Sequence, residues 1–160
     1  MRGAGRIVVK EKVTLRQGDV IRFLQLVEPT FSSELLEAWA KRDVFDVSAR
    51  SGGKKVYTEA DLVALRVCLA AMPRGGTVVT REVLATLRRD PERGRGKMLI
   101  LASPSSGTPG TEVFYDNQPE TLLTLASSGR GYLAIPVGVF CDEAAAFVKD
   151  LTRAKENAGA

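Results

Sequence analysis

Apolar positions recur along this chain in two different rhythms, helical in the first half and mixed with short continuous runs in the second. From Leu15 to Val27, the residues Leu15, Val20, Ile21, Phe23, Leu24 and Val27 fall at mostly helical spacing. Glu28-Pro29-Thr30 breaks that pattern, because proline has no amide hydrogen and restricts the residue before it. Ser32 or Ser33 can cap a second helix, with Glu34 in its first turn favoured by the helix dipole. That helix places Leu35, Leu36, Trp39 and Ala40 on one side and Glu37, Lys41 and Arg42 on the other. Between Asp43 and Tyr57, apolar Val44, Phe45, Val47 and Val56 surround the tip Arg50-Ser51-Gly52-Gly53-Lys54, which predicts a β-hairpin. Both glycines tolerate the positive φ angles of tight hairpin turns. Thr58 and Asp61 have the Thr-x-x-acid spacing that caps a helix, and Leu62, Leu65, Val67, Leu69 and Met72 form its apolar face. Pro73-Arg74-Gly75-Gly76 is expected to stop that third helix.

Beyond this breaker, Thr80 and Glu82 lead into a helix carrying Val83, Leu84 and Leu87, and a polar, basic turn follows over 90–96. Met98 to Ala102 is a continuous apolar run of strand length. Ser103 to Thr111 is rich in serine, proline and glycine and predicts a loop. Glu112 to Asp116 is a second strand, and Pro119 opens a short helix through Leu125 at a first-turn position that suits proline. Tyr132 to Phe140 predicts a strand pair or one bent strand, since Pro136 and Gly138 interrupt it. Asp142 opens a final helix to about Lys155, with Phe147, Val148, Leu151 and Ala154 on one stripe. At the amino terminus, residues 1–14 form an arm whose alternating segment Arg6 to Val13 predicts a short strand. The expected class is α+β: a helix-helix-hairpin-helix unit over 15–72, then an α+β unit over 77–157 with at least three strands and a C-terminal helix.

Charge sharpens this picture. The net charge of +4 permits an anionic partner, and its distribution says more. Lys41, Arg42, Arg50, Lys54 and Lys55 gather around the second helix and hairpin, opposed by Asp43 and Asp46. A second cluster, Arg88, Arg89, Arg93, Arg95 and Lys97, reads as a solvated turn. The chain has no histidine, which removes the commonest general acid-base, the usual zinc ligand beside cysteine, and the Ser-His and Cys-His nucleophile pairs. Cys68 and Cys141 lack metal-site spacing and read as structural thiols. Neither a catalytic site, a metal nor a cofactor is expected. The apolar runs are far shorter than the ~20 residues of a membrane helix, and no apolar stretch follows the basic amino terminus, so a cytoplasmic protein with no membrane partner is expected.

Residues 15–72 resemble the winged helix-turn-helix DNA-binding domain of the MerR family. Leu36-Glu37-Ala38-Trp39 sits where that family has Leu-Arg-x-Trp/Tyr, Lys41-Arg42 at the basic pair after it, and Asp43-Val44 at its Gly-Leu step. The match continues through the wing, Gly53-Lys54-Lys55-Val56-Tyr57, and into Thr58-Glu59-Ala60-Asp61-Leu62 with Leu65-Arg66. The resemblance implies double-stranded DNA as partner, a transcriptional regulator as function and a homodimer as its working state. It implies a recognition helix whose exposed Ser32, Ser33, Glu37, Lys41 and Arg42 meet the major groove. Arg50, Lys54 and Lys55 on the wing would follow the phosphate backbone or the neighbouring minor groove, and Arg16, which points away from the apolar positions of the first helix, is a further DNA-contact candidate. Trp39 and Tyr57 are expected to be packing residues.

This sequence departs from the family's pattern in three places. Glu37 replaces an arginine, and the connection from Leu24 to Ser32 is longer than the family's tight turn. Pro73 to Gly76 should also forbid the family's long dimerising helix. The first two motivate an alternative, a protein-interaction adaptor that keeps the winged shape without DNA binding, with residues 77–157 as a dimerisation or partner surface. An enzyme is the least supported reading, because Ser105-Ser106-Gly107-Thr108-Pro109-Gly110 lacks the lysine of a phosphate-binding loop.

Overall fold

A computed structural model describes residues 13–47, 49–89, 94–104 and 110–159, and the backbone path alone for 73–78. The predicted strand within the amino-terminal arm falls almost wholly outside the described residues, as does much of the turn over 90–96 and of the loop over 103–111. The fold is α+β. Its elements are α1 (Gln17–Gln25), α2 (Ser33–Lys41), β1 (Arg50–Ser51), β2 (Lys54–Lys55), α3 (Glu59–Arg89), β3 (Met98–Ala102), β4 (Glu112–Asp116), α4 (Pro119–Ser127), β5 (Tyr132–Ile135) and α5 (Val137–Ala158).

Local signals set most of the starts. The Ser32 hydroxyl accepts from the Leu35 amide at 3.3 Å, capping α2. Thr58 and Asp61 bond reciprocally at the start of α3: the Thr58 amide donates to the Asp61 carboxylate at 2.8 Å and the Asp61 amide to the Thr58 hydroxyl at 3.3 Å. At α1 the Asp19 carboxylate accepts the Arg16 amide at 3.0 Å and the Arg22 guanidinium at 2.6 Å. Burial pushes the Asp19 carboxyl up, but these hydrogen bonds and the nearby Lys155 outweigh it and hold the group below its ordinary value.

The third helix does not stop at Pro73. It continues for 31 residues to Arg89, so the separate helix expected after Thr80 is its distal half. Proline and two glycines cost an isolated helix about 3 and about 1 kcal/mol each, respectively. Beyond them, Val83, Leu84 and Leu87 are buried, each contributing about 2 kcal/mol as an upper bound, and that offsets the penalty. The long helix does not stand free. It packs along α5, and Arg66, 8% exposed, bonds Glu143 at 3.0 Å with its guanidinium 4.1 Å from the centre of the Phe140 ring.

The second correction lies at Tyr132 to Phe140. Only Tyr132–Ile135 is strand; Pro136 is the N-cap of α5, which starts at Val137 and not at Asp142. Proline suits a helix start as well as a strand interruption, and Val137 and Phe140 then bury on the helix face. Likewise Val44 and Phe45 are not strand residues; they are buried in the corner after α2, and the hairpin strands are two residues each, with Arg50 opposite Lys55 and Ser51 opposite Lys54.

Strands β4, β3 and β5 form an antiparallel sheet with β3 at its centre. Leu99 and Leu101 face the cluster made with α3 and α5, while Ile100 and Ala102 face Leu122 and Leu125 of α4. Both faces of β3 are therefore covered, which explains its continuous apolar run. The principal core passes without interruption from Leu15, Phe23 and Trp39 through Leu65 and Val83 to Leu99, Ile135 and Val148. Phe147 of the C-terminal stripe packs against Phe23, ring centres 5.2 Å apart, and Leu151 lies against the same core, whereas Ala154 is exposed. Among the described residues, no helix is long and apolar enough to cross a membrane.

Candidate nucleic-acid interface

The helix α2 and the hairpin are brought together by a sharp backbone reversal at Asp43. The Asp43 amide bonds the Ala40 carbonyl at 3.1 Å and the Val44 amide bonds the Trp39 carbonyl at 2.9 Å, the paired pattern of a Schellman C-cap. Asp43 takes the left-handed conformation this motif needs, φ 55°. Val44 and Trp39 are buried, so the reversal is anchored from inside. Trp39 also meets Phe31 edge to face at 5.6 Å, and the Gln25 amide group reaches the Phe31 carbonyl at 2.8 Å. These contacts fix the longer connection between α1 and α2. Trp39 and Tyr57 are packing residues, as the sequence predicts.

At the stem of the hairpin, Leu15 and Tyr57 exchange backbone hydrogen bonds of 2.9 and 3.0 Å. That short bridge sets the start of α1 beside the hairpin. At the tip, Gly52 and Gly53 have φ 58° and 75°, and a side chain would strain both.

Between α1, α2 and the hairpin lies an open groove of about 940 Å3. Arg16, Glu37, Lys41, Arg50, Lys54 and Lys55 all line it, on a floor that includes Leu36, Phe45 and Tyr57. Six of the nine side chains singled out in the sequence therefore converge here. The other three take different places. Ser32 is occupied as the α2 cap, Ser33 lies one turn before Glu37 on the same helix stripe and reaches Glu34 at 3.4 Å, and Arg42 is the exposed C-cap residue of α2. Gln17, Gly18 and Asp46 also line the groove and were not singled out. The backbone bridge at Leu15 explains the first two, and it has no side-chain signal in the sequence.

The groove holds five cations against the carboxylates of Glu37 and Asp46. Three of the cations are tied down. Arg16 donates to the Ser51 carbonyl at 3.3 Å, Arg50 to the Gly53 carbonyl at 3.2 Å, and Lys55 to the Asp46 carboxylate. The Lys55 hydrogen bond is the main reason that the Asp46 carboxyl lies below its ordinary value. Lys41 and Lys54 are exposed and have no ion-pair partner among the described residues. The arrangement is a concave cationic surface with two free ammonium groups, one on the helix and one on the hairpin, about a rigid floor.

Among the described residues no cluster of three potential metal-ligating side chains occurs, and neither cysteine forms a disulfide. Cys68 is fully buried, which pushes its thiol pKa up to about 12. No family model matches this chain, and no curated protein does either.

Proposed function

We propose that residues 15–72 are a winged helix-turn-helix of the MerR kind and that the protein is a sequence-specific double-stranded DNA-binding regulator. The single observation that carries this reading is the convergence of α2 and the hairpin on one cationic groove. A duplex presents a ridge of phosphates between its major and minor grooves. Such a ridge fits a concavity whose two walls are a helix and a hairpin. In this arrangement α2 enters the major groove, where base edges are distinguishable. The hairpin crosses the backbone toward the minor groove, with Lys54 and Arg50 at its tip. Arg16 and the first amides of α1 lie between them, where a phosphate would sit.

One such unit offers few base-reading side chains, so a cytoplasmic homodimer on a two-fold site follows from the same reading. The test is fluorescence anisotropy of the full chain with a duplex over a range of salt. Lys54→Ala should lower the slope of log affinity against log salt by about 1, uniformly across sequences. Lys55→Ala should cost more than one contact, because it also leaves Asp46 uncompensated in the groove. A flat salt response of the wild type, or an unchanged slope when Lys54→Ala and Lys55→Ala are combined, would refute the assignment.

Glu37 supports a second reading. Its carboxylate is exposed on the groove-facing side of α2, where a phosphate would be repelled. A basic peptide lying over Leu36 and Phe45 would pair with it, making the protein an interaction adaptor. Failure to bind any duplex at low salt, together with recovery of a protein partner lost in Glu37→Lys, would favour that reading.

A further inference from the structure

We infer that Arg81, in the distal half of α3, is a positioning residue that sets the direction of α2 for duplex binding, so that the second half of the chain controls the interface. This inference rests on the DNA-binding reading above. Its basis is a contact between two parts of the chain that are 38 residues apart in sequence. The Arg81 guanidinium donates from Nε to the Asp43 carbonyl and from Nη2 to the Arg42 carbonyl, both at 3.0 Å. These acceptors are the C-cap of α2 and the left-handed residue after it. Carbonyls at a helix end have no partner within the helix, so a planar guanidinium reaching two of them fixes both the end and its orientation.

The same helix makes a second contact one heptad on. The Arg88 guanidinium lies 5.7 Å from the centre of the Phe45 ring, and Phe45 is part of the groove floor. Residues seven apart share a helix face, so Arg81 and Arg88 grip the α2-to-hairpin corner side by side. Behind them, Val83, Leu84 and Leu87 are buried in the core shared with Leu99, Leu101 and Ile135 of the sheet. A shift of the sheet against α3 would therefore reach α2 through Arg81 without any change in the groove residues themselves. The Asp43 carboxylate adds little to this link, since its ion pair with Arg81 is 3.8 Å long and its side chain is 92% exposed.

The experiment compares the full-length wild type with Arg81→Ala and Arg81→Lys by duplex anisotropy at several salt concentrations, and by amide hydrogen exchange. Arg81→Ala should weaken duplex binding on the order of five- to tenfold, the lower range of couplings between separate sites. Its salt slope should match the wild type, because Arg81 meets no phosphate in this role. Exchange of the Val44 amide should quicken, with α1 amides unchanged, and Arg81→Lys should recover part of both effects. Wild-type binding with unaltered Arg81→Ala affinity would overturn the positioning role, and so would a slope lowered by about one, which marks a direct phosphate contact. Faster exchange throughout the chain would also overturn it, marking general destabilisation. A wild type that binds no duplex at low salt overturns the underlying DNA reading instead, and the Val44 exchange result separates the two failures.

Discussion

Asp43→Gly should stabilise the protein, and the size of the gain can be worked from the reversal after α2. Asp43 holds φ 55° at the position of a Schellman motif that glycine most often occupies. An ordinary L-residue in the left-handed region loses roughly 1–2 kcal/mol through its β-carbon, and aspartate loses less because its side chain can bond locally. Glycine removes that strain but brings extra freedom to the unfolded chain, which offsets part of the gain. The carboxylate that would be lost is 92% exposed and its ion pair with Arg81 is 3.8 Å long, so its loss is minor. The two Arg81 bonds survive, because they run to backbone carbonyls. A net gain of about 0.5–1 kcal/mol remains, equivalent to a rise in Tm of about 1–4 °C for a chain of this length. Thermal unfolding followed by circular dichroism at 222 nm measures it directly. Asp43→Ala provides the control: it should melt below the wild type, since alanine keeps the β-carbon and tolerates the left-handed region less well than aspartate does. If glycine and alanine shifted Tm equally, or glycine lowered it, the strain assigned to this position would be wrong.

Glu143→Ala should destabilise by about 1–3 kcal/mol, below the full cost of breaking a buried pair because Glu143 is 41% exposed; urea unfolding measures it, and no loss would mean that Arg66 is held by Phe140 alone. Iodoacetamide at pH 8 should modify Cys141 well before Cys68, whose thiol is buried and pushed up to about 12; equal rates in the native protein would contradict that burial. Asp19→Asn tests the start of α1 through pH. Because the folded carboxyl lies below its ordinary value, its stabilisation is present above pH of about 4 and is lost as pH falls through the folded value. The variant should therefore be less stable than the wild type at pH 7, with the gap narrowing as pH falls below about 4 and through the folded value; a gap independent of pH would assign the effect to packing.

Much of the fold is legible from residues whose chemistry acts locally. The Thr58 and Asp61 cap, the Ser32 cap, the glycine pair at the hairpin tip and the proline start of α4 each act within about four residues, and each appears where its spacing predicts. The candidate interface was legible for the same reason. Arg50, Lys54 and Lys55 are placed by one hairpin and Lys41 by one helix face, so their convergence needs only the buried Trp39 and Tyr57 behind them. Two of the three segments that depart from expectation share a different cause. Pro73 to Gly76 and Pro136 both carry proline, whose local meaning is ambiguous between stopping an element and beginning or surviving within one. Distant packing decided each case: Val83, Leu84 and Leu87 against the sheet for α3, and Phe140 beside Arg66 for α5.

The continuation of α3 beyond Pro73 changes what the second half of the chain can do. Had the helix ended there, two units joined by a Pro-Gly linker would have been free to move, and each would have carried its own function. Instead the chain has one principal core, and its longest helix touches both the sheet and the end of α2. A helix is stiff in bending over this length, so a displacement at Leu87 is passed to Arg81 rather than absorbed between them. In the positioning reading, a displacement of the sheet unit would act on α2 through the Arg81 and Arg88 guanidiniums together. The long helix α3 is turned inward onto α5, with Arg66 and Glu143 holding it. If this protein dimerises, the seam must therefore use a surface other than the α3 face packed on α5, and the same holds for the Phe147 and Val148 stripe, which the core already occupies. Analytical ultracentrifugation of the wild type beside Phe147→Ser tests that step. Loss of stability with an unchanged association state is the outcome this packing requires; dissociation of an otherwise stable dimer would place the seam on the stripe after all.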